Sequence, residues 1–133
     1  MESLLPLLLL ISLTSVIGLL LRAKKGVIKK ETRVKISEGE FGGKYGARLT
    51  ILQFSTTFCS ECRTAKAIVK DVVNDFKDIA YLEVDAESNL ELVRRVDIRS
   101  TPTTIFLDSK GFEIARAKGA PKRDQLIKAI KAI

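Results

Sequence analysis

The sequence predicts an α/β domain, a central mixed sheet covered by helices on both faces, carried behind one N-terminal membrane-spanning helix. Three observations predict it. Residues 3–21 carry no charge, short apolar runs alternate with helically spaced ones from residue 48 onward, and two strand-like runs near the end flank a Ser109-Lys110-Gly111 turn.

The uncharged run comes first. "SLLPLLLLISLTSVIGLLL" (3–21) has no polar face, which argues against a buried core helix, and at about 1.5 Å per residue it approaches the thickness of a bilayer. Pro6 falls near its start, where a missing N–H does little harm. A cleaved leader wants a basic beginning, a shorter apolar stretch and a small-x-small cut site. Here Met1-Glu2 precedes the run and three leucines and Arg22 end it, so an uncleaved anchor is expected.

Residues 22–36 ("RAKKGVIKKETRVKI") hold seven Lys/Arg against one Glu and read as a basic juxtamembrane linker. From residue 37 on, 16 Lys/Arg meet 14 Asp/Glu, so the alkaline character belongs to the linker and no nucleic-acid-binding face is indicated. Arg22, Lys24, Lys25, Lys29 and Lys30 follow the apolar run and no basic residue precedes it. The N-terminus is therefore expected outside and the domain in the cytoplasm, with the basic segment on anionic lipid.

Residues 37–133 form the expected folded domain. "EGEFGGKYGAR" (38–48), rich in glycine, reads as a loop or poorly formed helix, and "RLTILQF" (48–54) as a buried strand. Ala65, Val69, Val72, Val73 and Phe76 recur at helical spacing and predict a helix over 60–76. "IAYLEV" (79–84) is a strand, 86–96 a helix with Leu90 and Val93 on one face, and 103–108 with 112–118 a hairpin. Pro121 opens a last amphipathic helix with Leu126, Ile127 and Ile130 inward.

The chemistry rests on "FCSEC", which places the only cysteines, Cys59 and Cys62, one turn apart at a strand–helix junction. A helix N-terminus and the nearby Arg63 favour a thiolate at Cys59, and Cys62 is then placed to resolve a mixed disulfide. A structural disulfide across two residues would constrain little, and a closed zinc site wants about four ligands. Two thiolates can still hold a soft ion such as Cu(I). No histidine is present, which excludes Ser-His-Asp and Cys-His catalysis, and no cysteine lies near the anchor to be lipidated. Glu61, between the two cysteines, opposes the Cys59 thiolate and is expected to restrain it.

"FCSEC", "VDAESNLELVRRVDI", "RSTPT" (99–103) and "KGAP" (118–121) together resemble the thioredoxin family over about residues 48–133. The resemblance implies a thioredoxin-like fold, Cys59 as nucleophile and Cys62 as resolving thiol. It also implies a cis Thr101–Pro102 bond, and a client-binding surface from Phe58, Thr101, Pro102 and Gly119. Ser60, Glu61 and Arg63 would tune thiol acidity. Phe58 stands where the family usually has Trp, Ser60-Glu61 replaces Gly-Pro, and Ala67 replaces the helix-kinking proline. Gln53 and Tyr81 occupy the places of the buried acid and its lysine partner.

The expectation is a membrane-tethered thiol–disulfide oxidoreductase, reducing protein clients near the membrane and fed by a reducing system, with no cofactor or metal. Two alternatives stand beside it. Thr56-Thr57-Phe58-Cys59 fits the Thr-x-x-Cys of a thiol peroxidase, although Leu52 stands where a proline is expected. A non-catalytic soft-metal-binding or scaffolding module on the same fold is the other.

Overall fold

A computed structural model describes residues 4–23, 26, 28–29 and 34–133. The elements run α1 (Leu4–Ala23), β1 (Ile28–Lys29), α2 (Glu38–Phe41), β2 (Leu49–Ser55), α3 (Ser60–Val73), β3 (Ile79–Asp85), α4 (Leu90–Arg95), β4 (Thr103–Asp108), β5 (Glu113–Lys118) and α5 (Arg123–Ala132). One mixed sheet has the order β1-β5-β4-β2-β3. β2 and β3 are parallel, joined through α3, and the other pairs are antiparallel.

Period-two alternation along the strands sorts the core into two layers. Leu49, Ile51 and Phe106 pack with Val69 and Val72 of α3 and Leu126 and Ile130 of α5. On the opposite face Leu52, Phe54, Ile105 and Leu107 pack with Ile36, Phe41, Leu92 and Val96. Every residue of β2 is buried, because this central strand is covered on both sides. The fold class expected from sequence is the one observed.

α1, at 20 residues, is long and apolar enough to cross a membrane by length and composition, and none of its residues is buried. Residue 3 of the expected anchor lies outside the described residues, as do Lys24, Lys25 and Lys30 of the basic cluster.

The expected linker, 22–36, contributes to the sheet. Ile28 and Lys29 pair with Ala117 and Arg116, and Lys35 bridges to Phe112. Ile36 is fully buried, and just ahead of β1 the Gly26 N–H donates to the Lys118 carbonyl at 2.7 Å. The folded part therefore begins before residue 37. The basic residues alternate with Ile28, Val34 and Ile36, and it is these apolar positions that join the cores.

Helix limits also differ from expectation, and α5 opens at Arg123 behind its N-cap Lys122 rather than at Pro121. α3 ends at Val73, where i→i−3 bonds (Asp75 N–H to Val72 O, Phe76 N–H to Val73 O) tighten the chain into a turn. α4 starts only at Leu90, because the Asp85 carboxylate accepts from the Glu87 N–H and the Ser88 hydroxyl and holds 86–89 as a turn. Within 38–48 a single helical turn forms, its start fixed by Ser37 N–H and Oγ donating to Glu40 Oε2.

Candidate active site

β2 stops at Ser55 and α3 starts at Ser60, so the short connection delivers Cys59 to the N-cap of the helix. Its backbone is extended (φ −106°, ψ 103°), and its sulfur accepts the Cys62 N–H at 3.1 Å. That contact satisfies one of the N–H groups a helix start leaves unpaired. It also puts the sulfur at the positive end of the helix dipole, which favours thiolate once the pair is reduced. The two cysteines are joined here as a disulfide, with Cα atoms 5.2 Å apart. Cys62 is 3% exposed whereas Cys59 is half-buried, so an incoming disulfide can reach only one of the two sulfurs readily.

A second wall comes from the segment ahead of β4. The Thr101–Pro102 bond is cis, as the resemblance implies. Pro102 is buried, and its carbonyl accepts the Gly119 N–H at 2.8 Å. Gly119 has φ 81°, a conformation that suits glycine. Glu61 joins the walls, its Oε1 accepting the Ala120 N–H at 3.4 Å. Its carboxylate is therefore half-buried and turned toward the loop after β5. Ser60 and Arg63 are exposed on the first turn of α3, and Phe58 is 95% exposed at its rim.

The floor is polar but carries no charge. Gln53 is fully buried, donates from Nε2 to the Cys62 carbonyl at 2.9 Å and accepts the Tyr81 hydroxyl at Oε1 at 2.8 Å. Burial, with Glu83 nearby, pushes the Tyr81 hydroxyl well above its ordinary pKa, so it remains a proton donor. The pair pins the first turn of α3 to β2 and β3.

Sequence reasoning missed a buried ion pair behind the second wall. Glu113 and Arg116 are 3% and 7% exposed and meet at 2.6 and 2.8 Å, and Arg116 Nη1 also donates to the Asp97 carbonyl at 3.2 Å. The pair thereby ties β5 to the loop that leads into Thr101 and Pro102. Charges three apart at the end of a strand read as solvated, so no signal in the sequence marked them. Among the described residues there is no group of three or more metal-ligating side chains.

A mixed sheet with a Cys-x-x-Cys disulfide at a strand–helix junction and a cis-proline segment beside it defines a thiol–disulfide oxidoreductase. A family model described as Thioredoxin matches residues 34–132, and the chain belongs to the thioredoxin family. It is similar to Thioredoxin H2-1 of Oryza sativa subsp. japonica, 28% identical over 110 residues that cover 83% of this chain and 78% of that protein. With Thioredoxin H5 of the same plant it is 32% identical over 77 residues, 58% of this chain and just over half (56%) of that protein's length. Among solved structures, thioredoxin-2 of the malaria parasite, described as a component of its protein secretion machinery, superposes with a TM-score of 0.60 at 28% identity. That match covers 65% of this chain and 84% of the other.

Proposed function

We propose that this chain is a membrane-tethered reductant of protein disulfides, with α1 spanning the bilayer and the thioredoxin domain on the cytoplasmic side. The observation that carries the chemistry is the inequality of the two sulfurs: Cys59 at the helix start and reachable, Cys62 buried behind it. Reduced Cys59, as thiolate, attacks one sulfur of a client disulfide. The client S–S bond breaks, its other sulfur leaves as a thiolate and takes up a proton, and Cys59 is left in a mixed disulfide. Cys62 then loses its proton and attacks the Cys59 sulfur. The client's second sulfur departs and is protonated, and two electrons have passed from chain to client. A dithiol reducing system restores the pair.

Phe58, Thr101, Pro102 and Gly119 form the surface on which the client lies. Ser60, Glu61 and Arg63 set the field around Cys59. The excess of basic residues on one side of α1 supports the orientation, and the same residues favour anionic lipid.

Membranes holding the full chain and supplied with a dithiol reductant should reduce a protein disulfide, and Cys59→Ser should return the rate to background. Peroxide consumption without disulfide exchange, or exchange that survives Cys59→Ser, would overturn the assignment. In intact cells with the pair reduced, a membrane-impermeant thiol reagent should leave Cys59 unmodified until lysis. Labelling before lysis would place the domain on the other side.

A further inference from the structure

Thr104 is fully buried, and its hydroxyl has no hydrogen-bond partner among the described residues. A hydroxyl stranded in this way is costly and rare enough to need a reason. Its place in the sheet supplies one. β4 runs antiparallel to β2 with Thr104 directly across from Gln53, so the two side chains stand together on one face. That face lies beneath α3. Gln53 reaches up from it to the Cys62 carbonyl, and Phe106, two residues along from Thr104, packs with Val69 and Val72. Both ends of the Gln53 amide are already committed, to Cys62 and to Tyr81. Thr104 is left as the uncommitted polar group in the layer under the resolving cysteine, while the Cys62 sulfur is tied up in the disulfide.

We propose that the Thr104 hydroxyl is the hydrogen-bond partner of the Cys62 sulfur whenever that sulfur is reduced. A disulfide sulfur has no proton to donate and accepts poorly, so the hydroxyl is stranded in the oxidised protein. A thiol can donate to Thr104 Oγ1, and a thiolate can accept from it, the second bond being the stronger because it is charge-assisted. In the resolving step the Cys62 S–H bond breaks and the Cys62 sulfur bonds to Cys59. The Cys59–client bond breaks, and the departing client thiolate takes the proton. Thr104 steadies the developing Cys62 thiolate and keeps its own proton throughout. A charge-free floor of Gln53, Tyr81 and Thr104 would thus assist resolution without a titrating side chain.

This inference rests on the roles proposed for Cys59 and Cys62. It is tested in the full chain with Thr104→Val, which keeps the shape and removes the hydroxyl, beside Thr104→Ser, which keeps the hydroxyl. In a glutathione redox buffer, Thr104→Val should shift the equilibrium toward the disulfide by roughly tenfold, making the potential about 30 mV more negative. With an aromatic disulfide that releases a coloured thiolate, the second release, which reports resolution, should slow by roughly tenfold while the first is unchanged. Thr104→Ser should restore both. The oxidised Thr104→Val protein should melt no lower than wild type, since its only loss is a stranded group. An unchanged redox equilibrium, equal destabilisation of both redox forms, or no rescue by serine would overturn the proposal. The equilibrium shift does not depend on which sulfur attacks first, whereas failure of Cys62→Ser to capture adducts on Cys59 would count against the roles alone.

Discussion

Cys62→Ser should turn the chain into a trap: in its own membranes, discrete clients remain disulfide-bonded to Cys59 and turnover falls to background. The substitution leaves the attacking half of the site in place. The Cys59 sulfur is held by the backbone N–H of residue 62, and the bond from Gln53 ends on the backbone carbonyl of the same residue, so neither contact needs the second thiol. A serine hydroxyl is nearly the size of the thiol it replaces in this buried position, but it cannot displace a client sulfur from Cys59. Adducts should be resolved on non-reducing gels, released by dithiol reductant, and absent from the Cys59→Ser/Cys62→Ser double variant. Adducts captured instead through Cys62 in the Cys59→Ser variant would mean that neither cysteine has the role assigned to it.

Glu113→Ala should destabilise the oxidised domain by about 3–5 kcal/mol, the usual consequence of breaking a buried ion pair by removing one of its members. The carboxylate takes two hydrogen bonds from Arg116, and both side chains are almost wholly out of water. Without it the guanidinium stays buried and loses both charge-assisted bonds to the carboxylate, while its bond to the Asp97 carbonyl is kept. For a domain of this size, each kcal/mol lost lowers the melting temperature by roughly 4–8 °C. Urea denaturation of wild type, Glu113→Ala and the charge-free Glu113→Leu/Arg116→Leu double variant would measure it, and the double variant should recover most of the loss. A cost below about 1 kcal/mol for Glu113→Ala would show that the pair contributes little.

Much of this architecture was legible because the residues involved obey a short-range rule. The run at 48–54 has no polar side for the plain reason that β2 has no solvent side, and Ser109-Lys110-Gly111 does separate two antiparallel strands. Cys59 and Cys62 announce themselves by spacing alone. What was hidden depends on partners distant in sequence. β1 is two residues long, too short for any period, and only pairing with Ala117 and Arg116 makes it a strand. Ile36 closes a basic run and looked like linker until the opposite core covered it. α4 lost its expected first turn to the Asp85 side chain, a local competitor that hydrophobic periodicity does not register. Thr104 is an ordinary strand residue by propensity. Its stranded hydroxyl emerges only when β4 is laid against β2 and the Gln53 amide is found already engaged.

The bond from Gly26 to Lys118 has a mechanical meaning. Gly26 has φ 76°, and a Cβ there would lie 2.3 Å from the Ala120 carbonyl oxygen, so the chain at this point is pressed against the loop after β5. Lys118 adjoins Gly119, which grips Pro102. Only two residues separate Gly26 from Ala23, where α1 ends. Three Cα–Cα steps of 3.8 Å allow a leash of at most about 11 Å. With α1 in a bilayer and the client lying on this wall, both as proposed, the wall cannot roam. Such an enzyme would sort its clients by altitude, serving disulfides that come down to the membrane surface and missing identical ones held farther out.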